Sequence, residues 1–261
     1  MTVTQLARMA QEGEKIAMLT AYDASFAALC DRAGVDVLLV GDSLGMVIQG
    51  HATTLPVTLD ELLYHTRAVI AGCTRPLVIA DLPFGTYQGG SDDAYRAGVA
   101  ALKAGAQMVK VEGGAAIAAT VEYLTTRGVP VCGHVGLTPQ SVHVLGGFKV
   151  QGKTDAAADS LVEDTRRLCD AGAALIVVEC VPRALGVKLA QASSVPTIGI
   201  GAGPDCAGQV LVIYDALGIQ SGKPARFVRN FLFGNDSVEG ALVAYVKAVK
   251  DGSFPAAEHC F

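Results

Sequence analysis

Eight short apolar runs recur along the chain, each separated from the next by a more polar stretch, most of them long enough for a helix. They are Ile16–Leu19, Val37–Val40, Leu77–Ala80, Met108–Val111, Val129–Gly133, Leu175–Val178, Thr197–Ile200 and Val210–Ile213. Short runs rich in β-branched residues read as parallel strands buried on both faces. Strands alternating with helices imply βα units. Eight such units in 261 residues fit a closed (βα)8 TIM barrel better than an open sheet. No linker or low-complexity stretch divides the chain, so residues 1–261 are expected to form a single barrel domain.

Local signals place the helices. Thr58-Leu-Asp-Glu61 is a capping box ahead of a helix to Ala71. Ser91 is expected to cap the segment running to Lys103. Gly34, Gly105, Gly128 and Gly172 each follow a helical stretch and suit left-handed stops. Asp155 is expected to open a helix ending near Ala171, and Asp236 or Ser237 the last helix, reaching about Lys250. Val3–Gln11 is mildly amphipathic and predicts an extra N-terminal helix that plugs the barrel's bottom. The seventh unit is the irregular one. Only Pro204–Gln209 separates its strand from the next, too few residues for a crossover helix.

Four of the runs end at an acid: Asp42, Asp81, Glu112 and Glu179. Strand C-termini form the rim on which barrel enzymes do their chemistry. Gathering carboxylates there is costly, since two of them at ~4 Å repel by roughly 4 kcal/mol at an effective dielectric near 20. A divalent cation is the simplest compensation. Mg²⁺ takes one or two carboxylates, keeps several waters and leaves room for substrate oxygens, which Asp42 and Asp81 on neighbouring strands would supply. Each is equally readable alone as a turn or cap residue. Gly41 before Asp42 permits close backbone approach, and Ser43 adds a hydroxyl.

Lys110 and Glu112 are two apart, so they share a strand face. If Val109 and Val111 pack against helices, both polar side chains enter the barrel. There they form either a structural ion pair or a cation for a substrate carboxylate beside an acid at the metal's edge. Gly113-Gly114 is expected to start a helix whose free N–H groups favour anions. His134 reads as a structural residue or as a hydrogen-bond donor to substrate. An apolar setting tunes a carboxyl toward proton transfer near neutral pH, which makes Glu179, ending an uncharged run, the general-base candidate. Gly199-Ile-Gly-Ala-Gly203 is a weak anion-nest signal, and Asp215 is expected to close the rim by bonding another loop. Residues 136–152, which include His143, form the longest gap and suit a binding loop. His51 and His65 read as surface or packing residues.

The chain is 51% hydrophobic and only 17% charged, which predicts surface buried between subunits of a homo-oligomer. Its net charge of -5 leaves no basic footprint for nucleic acid. No run is long enough to span a bilayer. The start is not expected to be a secretory signal, and seven scattered cysteines suit neither a disulfide framework nor a zinc site. A reducing cytoplasm is the expected location, with Cys132 and Cys180 as packing residues.

Taken together, several stretches carry a family resemblance. They are Lys15-Ile-Ala-Met-Leu-Thr-Ala-Tyr-Asp23, Gly41-Asp-Ser-Leu-Gly45, Asp81-Leu-Pro-Phe-Gly-Thr-Tyr87, Val109-Lys-Val-Glu-Gly-Gly114, Gly133-His-Val-Gly-Leu-Thr-Pro-Gln140, Gly146-Gly-Phe-Lys-Val-Gln-Gly152, Gly199-Ile-Gly-Ala-Gly203 and Phe254-Pro-Ala-Ala-Glu-His259. The chain resembles the ketopantoate hydroxymethyltransferase family nearly end to end, departing at Leu82 and Tyr214. The resemblance implies a barrel of the phosphoenolpyruvate/pyruvate type that transfers a hydroxymethyl group from 5,10-methylenetetrahydrofolate to the keto acid 3-methyl-2-oxobutanoate, with Mg²⁺. It implies Asp42 and Asp81 as metal ligands with Glu112 at or near the metal. Ser43, Asp42, Asp81, Lys110 and His134 would contact substrate, and Glu179 would be the catalytic base. It also implies a decamer. Two other readings stay open. One is a carbon–carbon lyase or mutase of the same barrel group, since Cys132-Gly133-His134 resembles a loop of isocitrate lyase. The other is a barrel that binds keto acid without turnover.

Overall fold

The computed structural model describes residues 1–219 and 222–261. Its eight strands are β1 (Ile16–Thr20), β2 (Val37–Val40), β3 (Leu77–Asp81), β4 (Met108–Glu112), β5 (Val131–Gly136), β6 (Leu175–Glu179), β7 (Thr197–Ile200) and β8 (Gly208–Leu211). They pair in parallel and in chain order, and β8 closes on β1, giving a closed barrel. The helices between and after them are α1 (Val3–Gln11), α2 (Ala24–Ala33), α3 (Leu44–Val47), α4 (Leu59–Gly72), α5 (Ser91–Lys103), α6 (Ala118–Thr125), α7 (Val142–Leu145), α8 (Asp155–Asp170), α9 (Arg183–Ala192), α10 (Ile213–Ala216) and α11 (Val238–Lys250). Among the described residues no helix is long and apolar enough to cross a membrane.

Most local signals hold. Thr58 and Glu61 form a reciprocal capping box at the start of α4, and Ser237 caps α11. Gly34, Gly105, Gly128 and Gly172 all have positive φ. Thr154, one residue before Asp155, caps α8. Ser91 does not cap α5. It is the first helical residue, and its hydroxyl turns to Thr120 instead. The last strand begins two residues earlier than the apolar run suggested, and Ile213 opens α10. A glycine and a glutamine at its start hide that strand from an apolar scan.

Strand parity sorts the core into two shells. Outward residues such as Val78, Ala80, Val109, Val111, Ile176 and Val178 pack beneath the helices. Inward residues stack inside the barrel: Ile16, Met18, Val37, Leu39, Leu77, Ile79, Met108, Cys132, Leu175, Val177, Ile198 and Val210. The plug at the bottom is α1, whose Leu6 and Met9 join this inner shell. Their burial contributes roughly 1.5–3 kcal/mol each. Residues 201–207, between β7 and β8, contain no helix. Two other groups serve that seam. Lys15 Nζ donates to the carbonyls of Pro204 (3.0 Å) and Cys206 (2.6 Å). Tyr245 of α11 donates to Met18 O and Gln209 O at 2.8 and 3.0 Å, stitching β1 to β8.

Candidate active site

The inward parity that stacks apolar side chains lower down continues upward into a polar layer. Asp81 follows Leu77 and Ile79 on β3, and Lys110 and Glu112 follow Met108 on β4. His134 follows Cys132 on β5, and Glu179 follows Leu175 and Val177 on β6. Asp42 joins them from just beyond β2. There Gly41 matters, because a Cβ in its place would sit 2.6 Å from Ser43 Oγ. Asp42, Asp81, Lys110, Glu112, His134 and Glu179 line one cavity of about 630 Å³ at the C-terminal ends of the strands, together with Ser43, Thr20 and Asp215. Its apolar wall includes Met46, Leu137, Phe148, Val212, Phe227 and Phe261. A second cavity of about 640 Å³ opens at the opposite end, beside α1, and holds none of these residues.

Lys110 anchors the layer. The residue is 3% exposed, and its ammonium donates to Asp81 Oδ1 at 2.7 Å and Glu112 Oε1 at 3.4 Å. Burial alone would push it down, but Asp81, Glu112 and Asp42 together hold it well above the usual lysine range. Burial also acts on Glu112, yet Lys110 and His134 outweigh it and bring that carboxyl to about 2. Asp42 goes the other way. Burial, with Asp81 and Glu112 adding to it, holds its carboxyl well above the usual range. Burial likewise raises Asp81 in spite of Lys110. One ammonium is shared among three buried carboxylates, so Asp42 and Asp81 are raised while Glu112, with His134 also beside it, is lowered.

His134 stands between two acids. Nδ1 lies 3.2 Å from Glu112 Oε1, and Nε2 lies 3.2 Å from Glu179 Oε2. Burial opposes the imidazolium, but these carboxylates raise it to about 9. The Nε2 contact is close yet off the N–H axis, so this nitrogen makes no aligned hydrogen bond. Glu179, expected in apolar surroundings, therefore has a cation as its neighbour, and its side chain is 17% exposed. The next residue, Cys180, has φ +47, the one non-glycine positive φ among the described residues, and such strain concentrates at functional sites.

Several expectations change. Gly113-Gly114 leads into a short 3-10 turn over Ala115–Ile117, and its amide is used internally, Ala115 N donating to Asp164 Oδ1 at 2.8 Å. The Gly199–Gly203 run makes room for neighbours, since a Cβ at Gly201 would meet Phe227 at 2.9 Å and one at Gly203 would meet Arg183 at 2.8 Å. Asp215 bonds no other loop among the described residues. It faces the cavity, and burial pushes it up to about 6. Cys132-Gly133-His134 lies inside β5, so Cys132 is a packing residue and not part of a reactive loop. His143 sits exposed on α7.

Two participants had no role assigned from sequence, Tyr87 and Gln140. Gln140 Nε2 donates to Asp42 Oδ2 and to Leu82 O, both at 2.9 Å, while its backbone N–H donates to Glu112 Oε2 at 2.9 Å. Tyr87 donates to Gln140 Oε1 at 2.6 Å and accepts from Glu112 N at 2.9 Å. Gln140 ends one of the stretches that carry the family resemblance, which was the available signal.

Among the described residues no three His, Cys, Asp or Glu side chains are arranged to hold a metal unaided. The reason is visible in Glu112, expected as a third ligand. Its Oε1 is held by Lys110 and His134 and its Oε2 by Gln140, so both oxygens are already engaged by protein donors. Asp42 Oδ1 has no described partner, and Asp81 Oδ2 has only a long 3.4 Å contact from Asp42 N. Two hard oxygens lining one cavity fit Mg²⁺, which needs one or two carboxylates and keeps its waters.

The comparisons with known proteins place the chain in a family and a barrel type. A relative from Burkholderia multivorans named 3-methyl-2-oxobutanoate hydroxymethyltransferase is 60% identical over 260 residues, spanning 100% of this chain and 96% of that protein. One of the same name from Aromatoleum aromaticum is 57% identical over 261 residues, with the same coverage, 100% and 96%. Among solved structures, a phosphonopyruvate hydrolase in complex with oxalate and Mg²⁺ superposes with a TM-score of 0.63 at 16% identity, covering 84% of each chain. A 2,3-dimethylmalate lyase of the PEP mutase/isocitrate lyase superfamily gives 0.58 at 18% identity, covering 83% of this chain and 82% of its own. These likenesses show the barrel type. The family model for ketopantoate hydroxymethyltransferase matches residues 1–257, and with the two full-length relatives it establishes that this chain belongs to that family.

Proposed function

We propose that the chain transfers a hydroxymethyl group from 5,10-methylenetetrahydrofolate to 3-methyl-2-oxobutanoate, giving 2-dehydropantoate, a step toward pantothenate. The observation that carries this reading is the polar layer itself. An oxygen-rich pair (Asp42, Asp81), a buried ammonium (Lys110) and an accessible carboxylate (Glu179) share one cavity closed below by apolar side chains.

Asp42 and Asp81 would hold a Mg²⁺ ion, with Glu112 beside it. When bound, Mg²⁺ withdraws electrons from the keto oxygen and stabilises the negative charge that develops there. Lys110 has three N–H donors and spends two on Asp81 and Glu112. The third, with Ser43 Oγ, holds the substrate carboxylate. Ser43 is oriented for this by Tyr22 OH at 2.9 Å. His134 Nε2, the N–H without an aligned acceptor, donates to a substrate oxygen. Glu179 removes the proton from carbon 3. The resulting enolate attacks the methylene carbon of the folate. Cleavage of the carbon–nitrogen bonds and addition of water then give the hydroxymethyl product and tetrahydrofolate. The apolar wall carrying Phe148, Phe227 and Phe261 excludes water from the enolate. Exposed apolar side chains such as Val144 and Phe233 support assembly into a homo-oligomer, of which a decamer is the expected form, acting in the cytoplasm.

Mixing the protein with Mg²⁺, the keto acid and methylenetetrahydrofolate is expected to yield 2-dehydropantoate, read by mass spectrometry. Product should be absent when any one of the three is omitted. Cleavage of isocitrate-like acids in place of this transfer would instead favour the lyase reading.

A further inference from the structure

Gln140 sits on the 3-10 turn Pro139–Ser141, in the long connection after β5, yet it is 4% exposed. Its side-chain amide uses its full capacity of two donors and two acceptor sites. Nε2 donates to Asp42 Oδ2 and Leu82 O. Oε1 accepts from Tyr87 OH at 2.6 Å and from Gln88 Nε2 at 3.0 Å. The amide's orientation is therefore fixed. A flip would turn its oxygen on a carboxylate and a carbonyl and its nitrogen on two donors.

We infer that Gln140 is a positioning residue whose side-chain amide decides which oxygen of Asp42 remains open to a divalent cation, while its backbone N–H holds Glu112; this rests on the reading of Asp42 and Asp81 as cation ligands. Holding Asp42 Oδ2 leaves Oδ1 as the coordinating atom. Holding Glu112 Oε2 through the backbone N–H, opposite Lys110 and His134 on Oε1, keeps Glu112 out of direct coordination. Partners that fix the orientation of metal-ligating carboxylates set metal affinity by about 10–100-fold. The same amide joins the β3 connection, through Leu82, Tyr87 and Gln88, to the β5 connection, whose Phe148, Lys149 and Val150 line the cavity. Ligand geometry and the placement of that wall are thus tied at one side chain.

The test is Mn²⁺ binding to the metal-free protein, followed by calorimetry under conditions where every variant is folded. Gln140→Met keeps the side chain's volume and removes all four amide bonds. Its Kd is expected to rise on the order of 10–100-fold. Tyr87→Phe removes the hydroxyl that orients the amide and accepts from Glu112 N, and is expected to give a smaller loss in the same direction; it decides the matter if Gln140→Met does not fold. A merely structural role would lower Tm and leave the Kd of folded protein unmoved. Parent-like affinity in these variants, while Asp42→Ala loses binding, overturns the role of Gln140 alone. Absence of Mn²⁺ binding to the parent overturns both this role and the cation reading beneath it.

Discussion

Glu179→Gln is expected to slow deuterium exchange at carbon 3 of 3-methyl-2-oxobutanoate by about 10²–10⁴-fold while leaving Mg²⁺ and keto acid binding in place. The substitution is nearly isosteric. Its amide oxygen can occupy the place of Glu179 Oε2, 3.2 Å from His134 Nε2, so the imidazole keeps a neighbour there. What disappears is the proton acceptor. Glu179 is the acid in the layer suited to that role, because its carboxylate is the most exposed of those facing His134 and Lys110. Asp81 and Glu112 are committed to Lys110 and His134, and Asp42 to Gln140. Exchange is read by proton NMR of the keto acid in D₂O, with ligand affinities from calorimetry. Parent-like exchange in the variant would place the base elsewhere.

Lys110→Met is expected to destabilise the metal-free protein by about 3–5 kcal/mol, the cost of stranding buried charge after one partner is removed. The ammonium is the shared counter-ion of Asp81 and Glu112 and the main force opposing burial at both. The pH dependence has a definite sign. Asp42 and Asp81 are raised above the ordinary value of 3.8. Stability from their neutral forms is full below that value and lost as pH rises through the raised folded-state values. Glu112 is lowered from 4.5 to about 2, so its contribution is present above 4.5 and lost as pH falls through 2. That contribution depends on Lys110. Both effects make the variant's deficit largest at neutral pH and smaller as pH falls below 4.5 toward about 2. Added Mg²⁺ should restore part of the loss, because a cation that binds only the folded form stabilises it. Urea denaturation across pH reads the deficit. Equal stability of variant and parent at neutral pH would show that these carboxylates do not depend on Lys110.

The polar layer was legible in the sequence to the extent that strand parity controls it. Lys110 and Glu112, two apart and flanked by outward valines, had to enter the barrel together. Asp81 and Glu179 end apolar runs as the last strand residues. Capping chemistry was equally readable at Thr58 and Glu61, where both partners lie within one turn. What escaped depends on long-range partners. Gln140 meets Asp42 across 98 positions and Tyr87 across 53, and an amide in a loop carries no periodicity to announce its direction. The imidazole's two carboxylate neighbours were hidden for the same reason, so Glu179 read as an acid in apolar surroundings. Ser91 failed as a cap because its hydroxyl found Thr120 on the next helix, a competition no local motif encodes.

The central claim is that an ion held by Asp42 and Asp81 makes carbon 3 of the keto acid acidic enough for Glu179 to deprotonate. Its most direct test is deuterium exchange into 3-methyl-2-oxobutanoate by the unmodified protein in D₂O without folate, with Mg²⁺ present and after chelation. Exchange that requires Mg²⁺ and stops on chelation is the expected result. Exchange that continues unchanged without the ion, or none with the ion and keto acid both bound, would contradict it.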